Sequence, residues 1–466
     1  MIDLSTYKNF YFLGIGGIGM SALARYFNAK KFQVSGYDKT PTELTNLLEK
    51  EGIEIHFEDS VSNIPQAFLN KEETLIIYTP AVPKDSEELN HFLDNGYIVK
   101  KRAEILAALT QGKTTIAVAG THGKTSTAAI ISHILHTAKT PFFSFLGGIA
   151  SNFNTNFIAP EDGKADLIVV EADEFDRSFL QLNPDVAIIT AVEADHLDIY
   201  GTFDELQKAY SDFGAKTKAN GKLIIEEKAH ISSSKKMLSY RYGTSAGLDI
   251  SATNIRVENG MYIFDADLNG EKLPSLAMAV PGMHNIENAL AAMAATREFV
   301  NSTDSFYEAL KTFKGVKRRF EVIYKSDNKV FIDDYAHHPT EIKVTVETVK
   351  NLYPNKKVLG IFQPHLFSRT KDFAGEFAQS LNLLDEILIL PIYPAREKPM
   401  IGVTSRLILD DIKNPNKRIV DKEELIQYLI NNDADVLLTI GAGDIDKLIT
   451  PIKQIFINKA AATLKN

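Results

Sequence analysis

The chain has 466 residues, 44% hydrophobic and 24% charged, with a net charge of −9 and no cysteine. That length accommodates about three domains. The acidic balance argues against a non-specific nucleic-acid binder, and the absence of thiols excludes disulfides, thiolate metal sites and a cysteine nucleophile. The composition suits a reducing cytoplasm. The stretch Met1–Lys8 lacks the basic-then-apolar pattern of a signal peptide, and no apolar run approaches the length of a membrane span.

A first strand is predicted over Phe10–Leu13, followed by the loop Gly14-Ile15-Gly16-Gly17-Ile18-Gly19 and a helix to about Lys30. A second strand, Gln33–Tyr37, ends in Asp38. Glycines at this spacing with an acid about 20 residues on form a dinucleotide-type fingerprint. Gly16, Gly17, Ile18, Gly19 and Asp38 are the residues expected around a nucleotide pyrophosphate, not necessarily that of NAD. The run Leu75–Pro80 adds another strand, and the domain is placed at 1–107, closing after Lys100-Lys101-Arg102.

A second entry begins with the β-branched run from Thr115, which ends in Gly120-Thr121-His122-Gly123-Lys124-Thr125-Ser126 and a helix to Ala138. Strand, glycine loop and helix N-terminus favour a phosphate, with Lys124 on the terminal phosphates and the Thr125 hydroxyl on Mg²⁺. A full Walker A loop wants glycine where this chain has Val118, so the loop is a shortened form. Gly112-Lys113-Thr114-Thr115 looks similar but lies at the wrong end of the strand. Apolar runs 166–171 and 186–190 end near Glu171 and His196, and ligands of open α/β sheets bind at such carboxyl ends. Glu171 suits a Mg²⁺ site. Asp173, Glu174 and Asp176 crowd the same loop, which is costly unless a cation offsets them. His196 is read as a metal or phosphate partner or as a structural histidine; His133 and His136 as packing or surface. Alternation over Ile255–Asp265 suggests an antiparallel addition, and Pro281 opens a helix whose Ala289–Ala295 run is packed. Asn285 is either its cap or, with Asn288 on the same face, a partner for adenine or ribose. This domain is placed at 108–320.

The last domain, 321–466, has predicted strands at Val330–Asp333, Val358–Phe362 and Val436–Ile440, each followed by a polar or glycine loop. Lys317-Arg318-Arg319 is a charge run from which an arginine could reach a phosphate. His337 and His338 are adjacent and should diverge. Arg369 either grips a carboxylate or sits exposed at a helix start. The predicted fold is α/β in three domains: an N-terminal Rossmann-like, a central P-loop ATPase-like and a C-terminal Rossmann-like domain.

Taken in order, Gly14–Ala22, Gly120–Ser126, Glu171–Glu174, Ala194–Asp198, His284–Ala289, Arg318–Phe320, Asp333–Glu341, Phe362–His365 with Ser368–Thr370, and Gly441–Gly443 resemble the Mur ligase family across the whole chain. The resemblance implies an ATP- and Mg²⁺-dependent ligase joining L-alanine to the lactyl carboxylate of UDP-N-acetylmuramate through an acyl phosphate. It places Lys124 on ATP, Thr125 and Glu171 on one Mg²⁺, and His196 on a second. Asn285, Asn288, Arg319 and Asp334 match nucleotide-contacting positions, and Tyr335, His337 and Arg369 match positions near the amino acid. His122 and Asn152 are expected to face the sugar nucleotide, and His337 is the candidate proton acceptor. Two departures stand out: Leu366 replaces a common arginine, and the loop after Glu171 carries Phe175-Asp176-Arg177. The alternative within the family is a ligase attaching a recycled tripeptide to the same acceptor, against which the Gln363-Pro364-His365 pattern with Ser368-Arg369 argues.

Overall fold

The computed structural model describes residues 2–194, 197–231, 237–258, 260–395 and 397–463. Its three sheets are all rich in parallel strands. The first runs Glu54–His56, Gln33–Tyr37, Asn9–Leu13, Thr74–Tyr78, Ile98–Lys101, wholly parallel. Asn9–Leu13 is buried along its whole length because helices cover both faces. Phe10 and Phe12 pack with Phe27 of helix Ile18–Ala29 on one side, and Tyr11 and Leu13 with Phe68 and Phe92 on the other.

The second sheet has ten strands with Thr114–Ala119 in its interior, paired in parallel with Leu167–Glu171 on one side and Val186–Ile189 on the other. This register brings the ends of all three strands to one edge. The expected antiparallel addition exists and is larger than the Ile255–Asp265 pattern suggested. It comprises Ile250–Glu258, Met261–Leu268 and Glu271–Met278. Its last hairpin turns on Asn269 and Gly270, both at positive φ (55° and 97°), the primed-turn geometry that favours Asn-Gly.

The third sheet is ordered Glu321–Lys325, Val330–Asp334, Val436–Ile440, Val358–Phe362, Glu386–Ile389, Lys417–Ile419, parallel apart from its first pair. By contacts the chain divides into two compact units. One is Met1–Ala279 with His284–Lys314 and holds the first two sheets; the other is Val280–Met283 with Gly315–Asn466. Among the described residues no helix is long and apolar enough to cross a membrane.

Candidate active site

Strand Thr114–Ala119 passes through residues 120–123 into helix Lys124–Thr137. Gly123 has φ +80°, and a Cβ there would lie 2.7 Å from the Asn288 amide oxygen, so the loop admits only glycine. The Lys124 ammonium donates to the Gly120 carbonyl, to the Thr121 carbonyl at 3.3 Å and to Glu174 Oε1 at 2.9 Å. Burial alone would lower its pKa, but the carboxylates of Glu174, Glu171 and Asp173 outweigh it and the ammonium is held charged. Ser126 follows in the first turn. The Thr125 hydroxyl donates to Glu171 Oε2 at 2.8 Å, and Gly147 N–H donates to the same oxygen at 2.8 Å. A methyl on Gly147 would collide with that carboxylate. A hydroxyl beside a carboxylate at a phosphate loop is a hard-oxygen donor set suited to Mg²⁺.

Thr121 Oγ1 accepts from Glu193 N–H at 3.2 Å, and His122 Nε2 lies 3.5 Å from Glu193 Oε2. The Thr190 hydroxyl donates to the carbonyls of Ala119 and His122 and fixes the loop from the neighbouring strand. His196 lies outside the described residues.

The acid cluster after Glu171 is offset by side-chain cations. Glu174, 2% exposed, meets Lys124; Asp173 meets Arg102 at 3.0 Å; Asp176 meets Lys101 at 2.6 Å. Burial pushes the Glu174 carboxyl up, against the pull of Lys124. Lys101 and Arg102 carried no functional expectation from the sequence, because their partners lie more than 70 residues away. Arg177, the second departure from the family pattern, lies over the Tyr200 ring at 5.1 Å with Nη2 3.8 Å from Glu205, so it braces the following helices.

Helix Met283–Thr296 begins before Asn285, which is therefore inside the first turn and not the cap. Asn285 and Asn288 are both buried, with Asn288 Nδ2 3.4 Å from Asn285 Oδ1. Asn288 Oδ1 accepts from the Thr127 hydroxyl at 3.0 Å. The structure thus sets Asn288 against the phosphate-loop helix.

Beside the first sheet, Asp38 accepts from Gly16 N–H at 2.8 Å and from Thr40 N–H at 3.1 Å, so it ties the loop that ends at Gly17 and leads into Ile18 and Gly19, the first residues of helix Ile18–Ala29. Asn152 sits elsewhere. Its amide donates to the Thr312 carbonyl at 2.9 Å and accepts from Lys314 N–H at 2.7 Å. It stands beside His133, nine residues along the helix from Lys124, and the structure does not bring it to the phosphate loop. His133 is buried against Thr312, and His136 is exposed.

The second unit gathers the remaining residues around strand Val330–Asp334. Asp334 accepts from Phe320 N–H at 2.9 Å, Ala336 N–H at 2.7 Å and Thr345 Oγ1 at 3.3 Å; burial raises its pKa to about 6, with Arg319 opposing. Arg318 is committed to Asp333 at 3.1 Å and the Gly441 carbonyl at 2.7 Å. Arg319 reaches Glu341 at 3.5 Å, and both guanidinium carbons lie 5.1 Å from the Tyr335 ring centre. His337 Nδ1 is 3.0 Å from the Tyr335 carbonyl, and its ring meets His365 edge-on. Burial lowers its pKa to about 4; Glu341 opposes this, while Arg369 and Arg319 reinforce it. His338 packs on Phe373, so the two histidines diverge as the sequence implied. Arg369 lies in helix Phe367–Asp372, whose entry residue Leu366 has φ +70°.

Three family descriptions match successive segments: Mur ligase family, catalytic domain, residues 9–114; Mur ligase middle domain, residues 118–296; and Mur ligase, glutamate ligase domain, residues 318–443. The chain is 48% identical over 461 residues to a UDP-N-acetylmuramate–L-alanine ligase of Christiangramia forsetii, covering 99% of this chain and 100% of that one. The chain belongs to the Mur ligase family. Another such relative, from Flavobacterium psychrophilum, is 49% identical over 97% of this chain and 99% of its own. The crystal structure of UDP-N-acetylmuramate–alanine ligase from Thermotoga maritima superposes with a TM-score of 0.80 at 28% identity, covering 98% of this chain and 99% of that one. A murein peptide ligase from Psychrobacter arcticus, at 23% identity and TM-score 0.68, shares the Mur ligase fold. The three-domain α/β reading is thereby established for this Mur ligase, as is ATP-dependent amide-bond formation.

Proposed function

We infer that this ligase joins L-alanine to the lactyl carboxylate of UDP-N-acetylmuramate at the expense of ATP, in peptidoglycan precursor synthesis. The observation that carries the reading is the end-to-end identity of nearly half with ligases of that activity. The setting proposed is the cytoplasm.

The reaction begins with two anions. A carboxylate oxygen attacks the γ-phosphorus, ADP leaves, and an acyl phosphate forms. The alanine amine then attacks the acyl carbon, inorganic phosphate departs, and the amine loses a proton. The first step needs fixed positive charge. Lys124, kept protonated by its acidic neighbours, supplies it at the phosphate loop. Thr125 and Glu171 are proposed to hold Mg²⁺, which when bound neutralises phosphate charge. Gly120–Ser126 with Asn285, Asn288, Arg319 and Asp334 are proposed for ATP, Gly16–Gly19, Asp38, His122 and Asn152 for the sugar nucleotide, and Tyr335, His337 and Arg369 for the amino acid. His196 keeps only its family-based assignment.

His337 is a weaker base than a proton acceptor for the amine requires. A pKa of about 4 leaves it neutral at pH 7 but poor at keeping a proton taken from an ammonium group. We assign it to orienting the amine as a hydrogen-bond acceptor. The deciding experiment is phosphate release with Mg²⁺, ATP and UDP-N-acetylmuramate, comparing L-alanine with the L-Ala-γ-D-Glu-diaminopimelate tripeptide. Release with alanine is expected; release with the tripeptide alone would reassign the enzyme to cell-wall recycling.

A further inference from the structure

The turn after Glu171 is held from two directions. Glu174 points into the phosphate loop, 2.9 Å from Lys124. Asp173 and Asp176 meet Arg102 and Lys101, at the junction of strand Ile98–Lys101 and helix Arg102–Thr110. Asp173 divides its carboxylate: Oδ2 accepts from Arg102 Nη2 at 3.0 Å, and Oδ1 accepts from Phe175 N–H at 3.0 Å. One side chain therefore joins the start of helix Arg102–Thr110 to the backbone on the far side of Glu174.

The turn needs such support. Asp176 and Arg177 have φ of 54° and 55°, a region unfavourable for residues with a Cβ. A carboxylate as buried as that of Glu174 must keep its cation, because losing the partner would strand a charge away from water. Arg102 is suited to the task. Its side chain is only 20% exposed, and its guanidinium lies against Gly19, where an added Cβ would sit 2.8 Å from Nη1. A planar fork wedged there has little freedom to follow a drifting partner.

We propose that Arg102 is a positioning residue for phosphoryl transfer: through Asp173 it holds the turn that presents Glu174 to Lys124, and so sets the ammonium that meets the nucleotide phosphates. The proposal rests on the ligase reading above. It is tested with Arg102→Ala, Arg102→Lys, Asp173→Asn and the Arg102→Ala/Asp173→Asn double variant in the full chain. The readouts are kcat, KM for ATP and for UDP-N-acetylmuramate, and calorimetric affinity for a non-hydrolysable ATP analogue with Mg²⁺.

Each single loss is expected to lower kcat about tenfold, with the double variant no worse than either single, as for residues acting in one chain of contacts. Arg102→Lys should restore part of the rate, and KM for UDP-N-acetylmuramate should stay within about threefold. A loss confined to KM for UDP-N-acetylmuramate would make Arg102 a direct sugar-nucleotide ligand and overturn the proposal. So would additive losses, or unchanged kinetics with only a lower melting temperature. Should Arg102→Ala fail to fold, Arg102→Lys and Asp173→Asn carry the same comparison. If the wild type releases no phosphate, the ligase reading fails, and analogue affinity still decides: weaker binding in Arg102→Lys and Asp173→Asn supports the positioning role, and equal binding refutes it.

Discussion

Lys124 and Gly147 show two ways in which one residue sets the chemistry. Replacing Lys124 by alanine removes a buried cation and also strands Glu174. We expect kcat to fall by about 10²–10³, the scale for losing a preorganised charge in a transition state, measured by phosphate release at saturating substrates. Gly147→Ala acts by shape, since the new methyl would press on the carboxylate that Thr125 and Gly147 N–H share. That variant should fold, as judged by circular dichroism, yet need about tenfold more Mg²⁺ for half-maximal rate; an unchanged Mg²⁺ requirement would remove Glu171 from the metal site. His337 gives the pH counterpart. Its depressed pKa means that the neutral form persists down to about pH 4, so the rate profile between pH 5 and 7 should show no inflection that His337→Gln removes.

Among the elements, Glu88 in helix Glu87–Asp94 provides the stability test. It is fully buried, accepts from the Tyr11 hydroxyl at 2.6 Å, and burial pushes its pKa to about 7. A raised carboxyl pKa means the folded state prefers the protonated acid, so its contribution is present at low pH and is lost as pH rises through 7. His56, 3.3 Å away, is lowered by burial and therefore acts in the opposite sense only below pH 6.5. Between pH 6.5 and 8 the wild type should lose about 1 kcal/mol relative to Glu88→Gln, read from paired denaturation curves; parallel curves would mean that Glu88 is already ionised. The same sheet shows what the sequence could reveal. Asn9–Leu13 was legible because a strand covered on both faces reads as an apolar run, and Gln33–Tyr37, which is not apolar, because it leads to the acid of the glycine-loop fingerprint. Ile98–Lys101 was not, because a strand with two lysines reads as a solvated charge run. The three-residue strands Glu54–His56 and Lys417–Ile419 are too short to show a period. In the site, Lys124, Thr125 and Glu171 were legible because each sits at the end of a predicted strand or on its following loop. Arg102 was not, since nothing local in its sequence names a partner 71 residues away.

For the whole molecule, nucleotide binding should appear as stability. A non-hydrolysable ATP analogue with Mg²⁺ at 100 times its dissociation constant should stabilise the folded state by about 2.7 kcal/mol. Thermal-shift measurements should show that gain in the wild type and little of it in Lys124→Ala; equal shifts would place the nucleotide away from the phosphate loop. The paired charges that bind strand Ile98–Lys101 to the turn after Glu171 also bear on recombination between relatives. Positions 101 and 102 lie in the segment matched by one family domain, and positions 173 and 176 in the segment matched by the next. A hybrid enzyme spliced between those segments inherits one half of each pair from each parent. Parents that differ at any of the four positions will assemble turns with mismatched charges, so such grafts are best crossed over before residue 98 or with the four positions carried together as one unit of inheritance.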